Sequence, residues 1–167
     1  MNYPTRSKVI AFSAALGLAS GMPAIAGPGH GGGHSHGAAD FSAGSPGDPK
    51  KPARIIPVTM NETEDGKMIY VPAKFVMKKG EQVRFVISNA GKVAHEFVLA
   101  STEENLKHGE MMKKFPEMEH DDPNNKTVQP RGKAEILWRF DKAGTFEIGC
   151  LIPGHREAGM LASVEVK

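Results

Sequence analysis

The chain has 167 residues, with 21 Lys and Arg against 19 Asp and Glu, 7 His, 9 Met and a single Cys. Charge this near to balance leaves no basic stripe for nucleic acid or an anionic membrane. One Cys excludes an internal disulfide framework.

Residues 1–26 read as an export signal. Arg6 and Lys8 form a basic start, Val9 to Met22 an apolar core with small residues, and Ala24-Ile25-Ala26 a cleavage site. The apolar run is too short and too small-residued for a membrane span. The mature form is therefore expected free of the membrane, in the bacterial periplasm or an equivalent oxidising space, with 19 basic residues against 19 acidic once Arg6 and Lys8 are gone. Residues 27–53 are rich in Gly, Pro, Ser and His, show no periodicity, and are expected to be disordered. His30, His34 and His36 cluster there, suited either to catching a divalent ion with modest affinity or to a merely soluble linker.

Residues 54–167 make one domain by length. Strand patterns recur at Arg54 to Met60, Met68 to Met77, Gln82 to Ser88, Ala94 to Ala100, Ala134 to Phe140, Thr145 to Cys150 and Leu161 to Val166. Val83, Phe85 and Ile87 alternate with polar neighbours, as a half-buried strand requires. Lys79-Gly80-Glu81, Asn89-Ala90-Gly91 and Lys142-Ala143-Gly144 punctuate the strands as turns. Short strands at this spacing predict an all-β sandwich. Trp138 lies mid-strand and reads as core.

The pattern changes between 101 and 131. Ser101-x-x-Glu104 is a capping box, Glu110 stands four residues before Lys114, and Pro116 forbids helix beyond about Phe115. A short helix over Thr102 to Phe115, inserted between two strands, is expected. His108, Met111 and Met112 share one side of it, with Met118 and His120 just beyond. That set is soft enough to hold Cu(I). Packing of the insert onto the sandwich through Met111, Met112 and Phe115 is the competing expectation.

Cys150-Leu151-Ile152-Pro153-Gly154-His155-Arg156-Glu157-Ala158-Gly159-Met160 places a thiolate, an imidazole and a thioether on one loop. Alone, Cys150 would read as an unpaired thiol or a small buried hydrophobe. With His155, Met160 and His95 from Val93-Ala94-His95-Glu96-Phe97-Val98-Leu99, the donors make a trigonal His₂Cys set with a weak axial Met, the set that suits an ion passing between Cu(II) and Cu(I). Pro153 fixes one dihedral and Gly154 permits a sharp turn, so Cys150 and His155 are expected to aim at one point.

Cys-x-x-Pro-Gly-His followed by Gly-Met, together with His95 and its Phe-Val-Leu continuation, resembles the ligand motifs of the cupredoxins, including the azurin, rusticyanin and auracyanin branches. The likeness spans roughly the last two thirds of the chain. It implies a Greek-key β-sandwich holding one type 1 copper, with Cys150, His155 and Met160 as loop ligands and His95 as the upstream one. Glu96 departs from the pattern, since many cupredoxins carry Asn, Ser or Thr there, where the residue helps lock the ligand loop. Oxidases and nitrite reductases of this kin join a type 1 centre to further copper sites built by more domains or by subunit interfaces. One domain without an evident second set of three histidines implies a protein that is not an enzyme. Two roles fit: copper tolerance, favoured by the additional soft and imidazole donors, or one-electron transfer between redox partner proteins.

Overall fold

The computed structural model describes residues 41–115 and 122–167, all within the unit Gly37–Lys167. The expected signal and the residues His30, His34, His36, Met118 and His120 lie outside the described residues. Among the described residues, ten strands and one helix run in the order β1 (Ser45–Pro46), β2 (Arg54–Glu62), β3 (Met68–Val71), β4 (Lys74–Met77), β5 (Gln82–Asn89), β6 (His95–Ala100), α1 (Thr102–Lys114), β7 (Asn125–Val128), β8 (Lys133–Arg139), β9 (Gly144–Gly149) and β10 (Leu161–Val166). They form two five-stranded sheets, β1-β8-β5-β2-β3 and β4-β10-β9-β6-β7.

The sheets face each other because alternate residues are apolar. Along β5, Val83, Phe85, Ile87 and Asn89 are buried while their neighbours are half-buried. Phe85 lies at the middle of the core, its ring 5.1 Å from that of Phe97, 5.8 Å from Phe75 and 6.4 Å from Phe140. These edge and tilted contacts add to burial, since aromatic pairs favour such angles. Every residue of β6 is buried. A strand covered on both faces loses the alternation that marks a half-exposed one.

Three details differ from expectation. The run Met68 to Met77 is two strands, one in each sheet, parted at Pro72, which follows a cis peptide bond. The expectation of disorder through residue 53 fails for residues 41–53. Ser45 and Pro46 pair with Arg139 and Trp138, Phe41 meets the Trp138 ring edge-on at 5.3 Å, and Trp138 Nε1 donates to the Ala43 carbonyl at 3.2 Å. The segment is also tied by hydrogen bonds, the Gly47 amide donating to the Leu137 carbonyl at 2.9 Å and the Asp48 amide to Gln82 Oε1 at 2.8 Å. The stretch 101–131 holds a strand as well as a helix, because Asn125–Val128 pairs with His95–Val98.

The helix itself forms as its caps dictate. The Ser101 side chain accepts from the Glu104 amide, the Glu104 side chain accepts from the Ser101 amide, and Lys113 and Lys114 occupy the last turn.

Candidate metal centre

The loop from Cys150 to Met160 is the connection of a β-hairpin. Leu161 pairs with Gly149, and the Cys150 amide donates to the Met160 carbonyl at 3.3 Å, so both ends of the loop close on each other. Within it, the His155 amide donates to the Ile152 carbonyl at 3.0 Å and the Met160 amide to the His155 carbonyl at 3.1 Å. Gly154 has φ of +89°, a conformation that side chains rarely adopt, which accounts for glycine between Pro153 and His155. His95 opens β6, the strand beside β9, with Val98 opposite Gly149. Both segments thus end at the same edge of the sandwich.

His95, Cys150 and His155 converge there, each offering one donor atom and all three donors within 4.8 Å of one another. His155 Nδ1 lies 3.2 Å from His95 Nδ1 and 3.3 Å from Cys150 Sγ. A first-row ion bonded at about 2.0 Å to nitrogen and about 2.3 Å to sulfur in a plane keeps its donors roughly 3.5 to 3.8 Å apart. A few tenths of an ångström of opening therefore admits one. His95 and Cys150 are fully buried, as is Met160, which precedes β10.

The surroundings set the protonation of the donors. Burial pushes the Cys150 thiol up to about 12, with the Glu96 carboxylate adding to the rise and the amides of Glu96 and Ile152 opposing it. A cation at Sγ reverses that balance, because a ligating thiol gives up its proton. Burial, then the charge of His95, lowers His155 from its ordinary value, which keeps a neutral imidazole available at neutral pH. The Glu96 amide donates to Cys150 Sγ at 3.3 Å and steadies the sulfur.

Two acidic residues complete the setting, Glu96 at the position where the sequence departs from the resembling proteins and Glu62, which the sequence left unmarked. Glu96 does what the shorter polar residues of the resembling proteins are expected to do: its carboxylate accepts from the Leu151 amide at 3.2 Å and ties the ligand loop to β6. Its carbonyl accepts from the buried Tyr70 hydroxyl. Glu62, at the end of β2, accepts from His95 Nε2 at 2.7 Å and from the amides of Lys92 and Val93 at 2.7 and 3.3 Å. Desolvation works against its charge, yet the Lys92 amide, the His95 ring and the Val93 amide hold it below the usual carboxylate range. Nothing in the local sequence marks Glu62, which lies 33 positions before His95.

The insert is tied to the same loop. Arg156 of the loop grips both carboxylate oxygens of Glu147 on β9, which also accepts from Thr102 Oγ1 at 2.8 Å and Asn105 Nδ2 at 3.2 Å, both on α1. The helix places the expected secondary donors apart. Met112 is buried with Val98 and Leu151, whereas Met111 is 44% exposed beside the half-buried His108 in a shallow cavity that Glu104, Lys107 and Asp122 also line. Packing of the insert thus falls to Met112, while Phe115 is 58% exposed.

A β-sandwich with a His-Cys-His cluster where a hairpin loop meets a neighbouring strand defines a cupredoxin. The family model for copper binding proteins of the plastocyanin/azurin family matches residues 58–167. The chain belongs to that family, and copper is its cofactor. A copper-resistant cuproprotein CopI of Rubrivivax gelatinosus is 44% identical over 141 residues, 84% of this chain and 82% of that one. Another, of Vibrio cholerae, is 37% identical over 74% of this chain and 71% of its own length. Among solved structures, auracyanin B superposes with a TM-score of 0.60 at 19% identity, over 77% of this chain and 99% of that one, which shows likeness of fold.

Proposed function

We propose that this chain is a periplasmic type 1 copper protein of copper tolerance, its ion held by His95, Cys150 and His155 with Met160 as the weak axial ligand. The observation that carries this reading is the convergence of three soft or borderline donors within 4.8 Å, in a chain whose relatives of 44% and 37% identity are named for copper resistance. When bound, the ion supplies a one-electron change between Cu(II) and Cu(I). The protein's part is to hold the donors still. The Glu96 amide fixes the sulfur, Glu62 fixes the outer nitrogen of His95, and the closed hairpin keeps Met160 beside Cys150. The role is sequestration or redox handling of copper rather than enzymatic turnover, after export and removal of residues 1–26.

Titration of the metal-free protein with copper, followed by visible absorption and paramagnetic resonance, tests the centre. One equivalent is expected to give an intense thiolate-to-copper band that C150A abolishes; a band unchanged in that variant refutes the assignment. Equivalents beyond the first, lost on replacing Met111, Met112 and Met118, are the outcome if the insert also binds Cu(I). Deletion of the gene is expected to raise copper sensitivity with respiration intact. The reverse result identifies a soluble one-electron carrier between redox partners.

A further inference from the structure

Building on the copper reading of His95, we propose that Glu62 is a positioning residue of the metal centre: its carboxylate holds the proton of His95 on Nε2, turns a bare Nδ1 toward Cys150 and His155, and adds negative charge that favours Cu(II). The His95 ring is fully buried, so Nε2 depends on a protein partner, and Glu62 Oε1 stands 2.7 Å away. A carboxylate accepts only, and a neutral imidazole carries one proton, so this contact selects the tautomer. Carboxylate partners of ligating histidines fix ring orientation and raise ligand basicity. A more basic donor stabilises the ion of higher charge.

Glu62 is itself seated. Its two oxygens accept from Val93 and Lys92 on the loop that leads into His95. That loop is braced from the other side by Asn89, whose Nδ2 donates to the Val93 carbonyl at 2.8 Å and whose Oδ1 accepts from Gly91 at 2.8 Å. Gly91 completes the seat, for a Cβ there would fall on the Glu62 carboxylate. The displaced atoms are the far end of a flexible side chain, so Gly91→Ala moves the carboxylate without requiring the backbone to shift. One acidic side chain thus holds both the ring and the segment that delivers it.

The test uses the full chain loaded with copper, as wild type, Glu62→Ala, Glu62→Gln and Gly91→Ala, with reduction potential, Cu(II) affinity and paramagnetic resonance as readouts. Loss of such a partner costs about 10- to 100-fold in metal affinity. If the loss falls on Cu(II), each tenfold raises the potential by about 59 mV. Glu62→Ala is expected to show that rise with an altered copper resonance. Glu62→Gln keeps an acceptor and should restore the resonance while the potential stays raised, and Gly91→Ala should shift the potential in the same direction. Nitrogen NMR of the metal-free wild type should find His95 protonated at Nε2, a readout that stands even if Glu62→Ala does not fold. Unchanged potential and affinity in Glu62→Ala and Gly91→Ala on an intact type 1 spectrum, or a His95 proton on Nδ1, overturns the role of Glu62 alone. A wild type lacking the thiolate band overturns the copper centre and this role with it.

Discussion

A thiol held near 12 is inert until a metal displaces its proton. In the metal-free protein, Cys150 should resist alkylation by iodoacetamide at pH 8, and copper binding at neutral pH should release about one proton in a pH-stat, as ligation by a thiolate requires. Rapid alkylation would mean that the sulfur is neither buried nor protonated. At this scale the sequence was most readable where chemistry is scarce. A lone Cys, a Pro-Gly turn, His155 and Met160 stand within one loop, and His95 opens a strand that reads as one. Glu62 was not readable as a partner, because acidic residues are common and its contacts depend on strand register and loop closure. Glu96 shows the limit well. Its identity departs from the resembling proteins, while its carboxylate reaches the Leu151 amide and performs the tie expected of a shorter side chain.

Among the elements, α1 and the ligand loop meet through Glu147 and Arg156, whose side chains are 7% and 21% exposed. Removing one partner of a largely buried pair leaves the other charge poorly compensated. Glu147→Gln should therefore cost about 2 kcal/mol at neutral pH, between the values for a fully buried and an exposed pair because Arg156 retains some solvent. The carboxyl is held below its ordinary value of 4.5: burial opposes ionisation, and Arg156, Thr102 and Asn105 outweigh it. A depressed folded value means that the contribution is whole above 4.5 and is lost as pH falls through the folded value. Denaturation of the two forms should accordingly converge in acid; a gap that widens there would contradict the assignment. Strands with strict alternation, such as β5, were legible, and so was a helix with a complete capping box. The two-residue β1 and the short β7 were not, since each is held by its partner strand rather than by its own pattern. The break between β3 and β4 was signalled by Pro72, but a change of sheet is a tertiary event.

Over the whole described domain, the segment from Phe41 to Pro52 belongs to the sandwich rather than to a linker. Phe41 packs on the Trp138 ring, and Ala43 is fully buried. Phe41→Ala should lower stability by about 2 kcal/mol, less than a fully buried aromatic costs. It should appear as a lower urea midpoint at unchanged slope. An unaltered midpoint would show that the segment adds nothing to the fold. The copper band should survive this change, because Phe41 packs on Trp138 of β8, in the sheet that does not contain β6, β9 or β10. Sandwich architecture was legible from the count and spacing of strands, whereas the docking of residues 41–53 was not: their Gly- and Pro-rich composition carries no strand pattern, and their contacts are made with β8 and with Gln82.

The connection that carries Cys150, His155 and Met160 leaves one rung of a ladder and returns to the facing rung. Whatever lettering is written between those rungs, the ladder beneath need not be rebuilt. Substitutions within that connection can accordingly change the side chains it presents while the pairs on either side keep their register.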